Sequence, residues 1–485
     1  MRIVSAILIV HFACSLIGMA QQAGSSSQLA FTSSSPELQQ SFDWAKQQAL
    51  VYGRTGVGSI GPWYEAALPG REAFCMRDVS HQAEGASALG LTAANANMFR
   101  RFAESAAQSR DWAAYWEIDS KGRPSLADYV SDRDFWFNLP ANFDVLDASV
   151  RLWRWTGDNG YRDDPVFRRF RSVTVKDYIR AWQLAPDEIL KRPRIANRRA
   201  MEGHFINSRG IPSYTEGPTD FIFGVDLLAS QYRALHSFEE IATNEDDRKL
   251  RLQLNAMSKA LQELVERVAW SQQEQHYFGT IHQNLTGSGS GDAMLLYFGA
   301  IDDASHRKAA LDYVSSPGYW KNLGIEEESY LPLTLFRYGR DEAAYRVMAD
   351  LSSPQKERRE YPEVSYSVLE AFVSGTMGVQ PSRARDGYDV RTMSQLPSEH
   401  DTATLSRVSI KKNLLDVMHA GSTETKLTNM SGPEIHWRAT FRGTLSVLRV
   451  NGKTVEAHHS TTEEGIPVSW ADVVVPAGGV AVASR

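Results

Sequence analysis

Between residues 36 and 378 the apolar positions recur at helical spacing. Leu38, Phe42, Ala45 and Ala49 form one stripe; Leu250, Leu254, Met257, Leu261, Leu264 and Val268 form the most amphipathic one. The pattern predicts helices near 36–51, 79–91, 93–108, 139–156, 165–183, 221–242, 247–270, 292–300, 304–314, 327–338, 341–351 and 363–375. Asp164-Pro165 offers the fifth an N-cap and a first-turn proline. Even-numbered segments are apolar on more than one face, as from Leu139 to Trp153 and from Phe221 to Ala229, whereas odd-numbered ones are more strictly amphipathic. An inner set of helices buried on both sides and an outer set facing water would produce that contrast. The chain is therefore expected to be mainly α, six helical hairpins closing into an (α/α)6 barrel. No repeat of fixed period supports an open solenoid instead.

The connections 52–78, 109–138, 184–220 and 271–291 are long, and 315–326 and 352–362 are moderate. The remaining links are short. Loops beyond about 15 residues are uncommon unless they carry function, so these are expected to gather at one mouth of the ring.

After Gly378 the texture changes. Leu405–Ile410, Asp416–His419, Thr425–Leu427, His436–Arg442, Thr444–Val450 and Val473–Val475 read as strands, and Asn451-Gly452 is a two-residue hairpin signal. The expected layout is a barrel at 36–380, a polar connection at 381–399, and a small antiparallel, sandwich-like β domain at 390–485. At the other end, Met1-Arg2, an apolar run from Ile3 to Ile17 and Gly18-Met19-Ala20 have the form of a secretory signal peptide. Residues 21–35, rich in Ser and Gln, read as a flexible lead-in. The mature chain is thus expected to be soluble and secreted or periplasmic. Cys75 would be its sole cysteine, so no intramolecular disulfide is possible.

The 485 residues carry a net charge of −6, without the basic footprint of nucleic-acid binding. Twelve Trp, 18 Tyr and 20 Phe provide flat surface for sugar rings as well as core. No phosphate-binding glycine loop, zinc spacing or cofactor motif is evident, and none is expected.

Three loops carry candidate chemistry. Arg77-Asp78 ends the first long loop; a carboxylate beside a guanidinium fork suits adjacent sugar hydroxyls, although an N-cap with a salt bridge would look the same. Glu216 lies in Gly210-Ile211-Pro212-Ser213-Tyr214-Thr215-Glu216-Gly217-Pro218, where Gly and Pro fix a tight turn and Tyr214 offers a dry wall. A general acid needs such a setting to stay protonated, and Asp220 is its reserve. Glu363 follows Tyr361-Pro362 at a helix start, which favours the ionised form a general base requires; its rival is Glu326-Glu327-Glu328. Trp63, Tyr64 and Trp136 are of a type to stack on a pyranose, and His81, Gln82, Asp132, Arg133 and His282 to bond its hydroxyls. Lys191-Arg192-Pro193-Arg194 with Arg198-Arg199 is a wet surface or a contact for an acidic sugar.

On these loops the chain resembles the six-hairpin glycosidases, the broad group of glucoamylases, rhamnosidases and related bacterial secreted enzymes. The resemblance covers about residues 36–380 and is one of topology and residue type. It implies that Arg77-Asp78 binds the sugar in the −1 subsite, that Glu216 is the general acid and that Glu363 is the base. It further implies an inverting hydrolase, with carboxyls about 6.5–9.5 Å apart. The local sequence departs from glucoamylase, so a starch-type substrate is not implied. The expected partner is an oligo- or polysaccharide, with uronic-acid-containing glycans among the candidates. A polysaccharide lyase using Tyr214 or His81, and a non-catalytic glycan-binding protein, remain alternatives.

Overall fold

The structure, a computed structural model, describes residues 28–56, 60–198, 203–215, 220–242, 247–383 and 386–485. The predicted signal segment 1–20, Arg199 and Glu216 lie outside the described residues.

Each predicted helical segment holds a helix. In chain order these are α1 (Pro36–Val51), α2 (Met76–Ala88), α3 (Thr92–Ser105), α4 (Pro140–Thr156), α5 (Pro165–Val173) and α6 (Val225–Ile241). They continue with α7 (Asp247–Val268), α8 (Asp292–Phe298), α9 (Ala304–Val314), α10 (Leu331–Arg337), α11 (Asp341–Ser352) and α12 (Pro362–Glu370). The expected cap at Asp164 is present: its side chain accepts from Val166 N at 2.8 Å. Both α5 and α12 run on into wider π-helical turns, Thr174–Tyr178 and Ala371–Thr376. The segment expected to be helical from 221 begins instead as a strand, Phe221–Gly224. A short apolar run cannot be assigned by periodicity alone, and here its backbone pairs with His276–His282.

The even-numbered helices touch in a closed cycle: α2 packs on α4, α4 on α6, α6 on α8, α8 on α10, α10 on α12, and α12 on α2. The odd-numbered ones lie outside, with α3 on α2 and α4, α7 on α6, α9 on α8, α11 on α10, and α1 on α12. Burial follows. Every residue of α12 is buried, as is α4 from Pro140 to Leu152, whereas α3 buries one stripe made of Ala94, Asn95, Met98, Phe99, Phe102 and Ala103. The cycle closes where α2 meets α12, and a Cβ on Gly85 would sit 2.2 Å from the Tyr366 carbonyl oxygen. Gly85→Ala is therefore expected to destabilise the protein by roughly 1–3 kcal/mol. A urea melt checks this, and an unchanged midpoint would mean the two backbones separate freely.

Strand content exceeds the sequence expectation, so the class is mixed helix and strand rather than mainly α. A seven-stranded antiparallel sheet runs Ala30–Ser33, Thr402–Ile410, Asn413–Ala420, Glu424–Ser431, Val480–Ser484, Val447–Val450, Lys453–Glu456. A five-stranded sheet runs Gln380–Pro381, Val390–Thr392, Ile435–Arg442, Pro467–Val475, His458–Thr461, with one parallel pair, Val390–Thr392 on Ile435–Arg442. Burial alternates strictly along Asn413–Ala420, the period of a strand with one face on a core. At the predicted hairpin Val450 pairs Lys453, and Asn451 and Gly452 take φ of 49° and 78°, the left-handed conformations a two-residue loop demands.

Two expectations need correction. The lead-in 21–35 is not uniformly loose, because Ala30–Ser33 completes the larger sheet by pairing Thr402–Ile410. The connection 381–399 likewise contributes strand residues 390–392. Phe31 ties this edge strand to the helices, its ring 5.2 Å from Phe42 on α1 and 5.1 Å from Phe372 after α12. The sheets abut the C-terminal ends of inner helices: Lys411 N donates to Trp155 O at the end of α4, and His419 Nε2 bonds Met377 O beyond α12. The N-terminal ends and long loops are thereby left for a site. Among the described residues no helix is long and apolar enough to cross a membrane.

Candidate active site

The first turns of α2, α6, α8 and α12 carry Asp78, Asp226, Asp292 and Glu363, and Asp144 sits one turn into α4; all five are buried. A helix N-terminus favours a carboxylate, but burial makes its charge costly unless something answers it.

Asp226 and Asp292 are spent on loops. Asp226 accepts from Ser213 Oγ at 2.8 Å and from Tyr214 N at 2.5 Å, fixing the loop that leads toward Glu216. Asp292 accepts from Tyr277 N at 3.1 Å and Ser290 Oγ at 2.9 Å.

The others converge near Arg77. Its Nε donates to Asp78 Oδ1 at 3.2 Å, its Nη2 to Glu326 Oε2 at 2.7 Å, and Glu363 Oε1 lies 3.9 Å from the same nitrogen. The guanidinium stands 5.4 Å from the centre of the Tyr214 ring, and Trp116 lies 6.2 Å beyond that ring. Tyr214 OH donates to Asp144 Oδ2 at 2.5 Å. Arg77-Asp78, Tyr214 and Glu363, from three loops far apart in sequence, thus come together. Glu326, first of the rival acidic run, joins them, whereas Glu328 is buried against Lys356.

Three carboxyls around one guanidinium cannot all ionise freely. Burial, and then the charge of Asp78, hold Glu363 well above the usual carboxylate range, with Arg77 opposing. Burial pushes Asp78 up to about 7 despite Arg77. Burial works against the charge on Arg77, but Asp78, Glu326 and Glu363 hold the guanidinium charged. Asp144, pushed up to about 8 by burial, is a proton-bearing acid at neutral pH.

His81 is present at this end of α2, stacked 3.7 Å from Tyr330 and bonded through Nε2 to Ser329 Oγ at 3.0 Å. Burial and then Arg151 keep its ring neutral. Its Nδ1 and both amide atoms of Gln82 are buried without a partner. Such groups call for water or a ligand hydroxyl.

Other expected contacts lie elsewhere. Trp63 and Tyr64 are core: Trp63 packs on Phe74, and fully buried Tyr64 bonds Asn95 on outer helix α3 at 2.6 Å. Asp132 is a turn anchor held by Arg110, Ser109 and Tyr129, and Arg133 points to solvent. Trp136 donates to Asn138 Oδ1 at 2.6 Å and packs against Ala196, Ile211 and Phe221. It also lines a crevice with Trp116, Glu117 and Asp128. His282 faces exposed Asp220 at 3.5 Å and bonds Ser288 Oγ at 3.1 Å; neither is in the Arg77 cluster. Arg194 donates to Ile206 O at 3.1 Å within its own loop, and Arg192 is buried near Tyr178 with its Nη1 lacking a hydrogen-bond partner.

Sequence reading missed Asp144 and Glu117. Glu117, behind Trp116 on Glu117–Asp119, shares Arg71 with Asp128 at 3.3 and 2.9 Å; burial and then Asp128 push it to about 7. Among the described residues no group of His, Cys, Asp and Glu is arranged to hold a metal.

No protein-family model and no curated protein sequence matches this chain. Solved structures do share its fold. An α-L-rhamnosidase from Dictyoglumus thermophilum superposes with a TM-score of 0.60 at 12% identity over 95% of this chain and 51% of that one. The GH78 family rhamnosidase of Bacillus sp. GL1 gives 0.54 at 11% identity over 84% and 41%. The α-L-rhamnosidase from Aspergillus terreus gives 0.51 at 12% over 93% and 50%. This chain spans about half the length of those enzymes or less, and the likeness at such identity is one of fold.

Proposed function

We propose that this protein is a glycoside hydrolase working by general acid/base catalysis at the N-terminal mouth of the helical cycle, which we read as an (α/α)6 barrel. One observation carries the reading: Asp78 and Glu363, from the first and last helices of the closed cycle, share the Arg77 guanidinium at 3.2 and 3.9 Å. Here Arg77 and Asp78 hold adjacent hydroxyls of the sugar, and Glu363 takes a proton from water. Glu216 donates one to the leaving oxygen, so the anomeric centre inverts. Supporting that role, Tyr214, two positions before Glu216 in sequence, lies against Arg77. Secretion rests on the composition of residues 1–20. We favour a neutral glycan over a uronate, since the cluster holds three carboxyls to one guanidinium.

A panel of aryl glycosides tests the reading. α-L-Rhamnosides head it, because the three fold relatives are rhamnosidases, and aryl glucuronides are included. Chromophore release with an inverted product anomer by NMR is expected. Ultraviolet-absorbing unsaturated product would identify a lyase, and binding without turnover would end the hydrolase reading.

The cluster also fixes an acidic limb. A base crowded by Asp78 and Glu326 ionises late, so kcat/KM should still be rising near neutral pH. Glu326→Gln removes one competing charge and is expected to move that limb toward lower pH. A pH–rate profile checks it, and an upward shift would show that Glu326 does not crowd the base.

A further inference from the structure

The acid/base reading leaves Asp144 unused, yet its surroundings are specific. It lies on α4, directly against α2, and the residue is 6% exposed. Oδ2 accepts the Tyr214 hydroxyl at 2.5 Å, while Oδ1 is buried with no partner. The Tyr214 ring also lies against Arg77, and Arg77, Asp144 and Asp78 all act electrostatically on Tyr330, so Asp144 and Asp78 lie near one another on neighbouring inner helices. The partnerless Nδ1 of His81 and amide of Gln82 project from that same stretch of α2. A buried carboxyl normally finds partners for its oxygens in the protein, in water or in a ligand. This one spends a single oxygen.

We propose that Asp144 acts as a neutral carboxylic acid whose Oδ1–H donates a hydrogen bond to a hydroxyl of the sugar held by Arg77 and Asp78, and so selects the configuration at that carbon. The division of labour follows from the geometry. The Tyr214 hydroxyl occupies the oxygen that only accepts, which leaves the proton on Oδ1, the oxygen without a protein partner. The groups facing Asp144 are consistent with that proton. Burial, with Asp147 on its own helix and Asp226 on α6, raises its pKa to about 8 against the opposing Tyr214 and Arg151. Arg151 is already bonded to Asp147 at 2.9 Å and to Glu84 at 2.6 Å. The remaining neighbours, Tyr178 and Tyr330, are themselves held protonated by burial. A site that must bond a hydroxyl rejects the epimer or deoxy sugar lacking it, since its own buried group is then left unpaired.

The proposal rests on the hydrolase reading of this site, and its test separates the two. Asp144→Asn and Asp144→Ala would be compared with wild type on p-nitrophenyl glycosides of neutral hexoses and their monodeoxy analogues. Asn keeps a neutral donor and cannot ionise. Asp144→Asn is expected to retain kcat/KM near neutrality and to move the alkaline limb upward, because the loss of the Asp144 proton near pH 8 no longer contributes to it. Asp144→Ala should raise KM by about tenfold, the scale of one lost hydrogen bond, for the hydroxylated glycoside but not for one deoxy analogue. An Asn variant as impaired as Ala, or an unchanged alkaline limb, would overturn the proposal by showing that an anion or a scaffold is required. Should Asp144→Ala fail to fold, the pH profile of Asp144→Asn decides. If wild type hydrolyses none of the glycosides, the hydrolase reading falls. Their binding, followed by tryptophan fluorescence, then tests Asp144 alone: wild type and Asn binding alike, with Ala weaker, supports it, and absence of binding overturns both.

Discussion

Glu363→Gln is expected to lower kcat by about 10²–10⁴-fold, the usual contribution of a positioned general base, while leaving the protein at least as stable. The two halves of that expectation have one cause. Gln has the shape of Glu and suits the second position of α12, behind Pro362, in a helix buried throughout. It cannot accept a proton from water. It also removes one of three carboxyls crowding Arg77, so Asp78 and Glu326 share the guanidinium with less repulsion. Turnover of the best aryl glycoside and a thermal melt at pH 8 together check this. A variant that loses activity because it loosens would melt lower, whereas loss of the base alone leaves the melt unchanged or raised. Near-normal turnover would remove Glu363 from the mechanism.

The helical scaffold was legible because burial on one face or on several writes itself into apolar spacing. The contrast between α4, buried from Pro140 to Leu152, and α3, with one buried stripe, is a property of the sequence before it is one of the structure. The hairpin at Asn451-Gly452 was legible because few residues adopt positive φ twice in succession. The short strands inside the long loops were not. Ala73–Cys75 is a strand because Glu117–Asp119 lies beside it, and pairing across a gap of some 40 residues leaves no local period. Trp63 and Tyr64 looked like sugar platforms by residue type alone, and type does not tell a platform from a core ring. Asp144 was passed over because it stands in an apolar helix. That setting was itself the signal, since a carboxyl in a segment buried on every face is costly and calls for a reason. Arg77, Asp78 and Glu363 were found because each ends a loop and begins an inner helix, and the closed cycle converts that shared place into proximity.

Arg77→Met should be the most damaging change at the site, and its cost should depend on pH in a definite direction. Methionine fills much of the volume but leaves Asp78 and Glu363 without their counter-charge and Glu326 with only Arg358, 3.6 Å away, and removing one partner of a buried ion pair costs about 3–5 kcal/mol. The sign with pH follows from the folded carboxyls. Asp78, Glu117 and Glu328 at about 7 and Asp144 at about 8 all bind their protons more tightly than they would in the unfolded chain. Where the folded state holds more protons, stability falls as pH rises, so each such group costs stability from about pH 4 up to its folded value. Buried neutral His81, and His419 pushed down to about 4, work the other way, but only below about 6.5, where an unfolded histidine takes up a proton. His276, raised to about 9 by its bond to Asp292, adds stability that is lost on the alkaline side. Between pH 6.5 and 8 these contributions share one sign, and the wild-type protein should lose stability across that window. Without Arg77 the carboxyls around it hold their protons to still higher pH, which steepens the slope. Urea melts at pH 5, 6.5 and 8 should therefore show Arg77→Met close to wild type at the lowest pH, where protonated carboxyls need no counter-charge, and furthest below it at the highest. An equal loss at all three would mean that Arg77 contributes packing and that the carboxyls at this mouth are balanced by other groups.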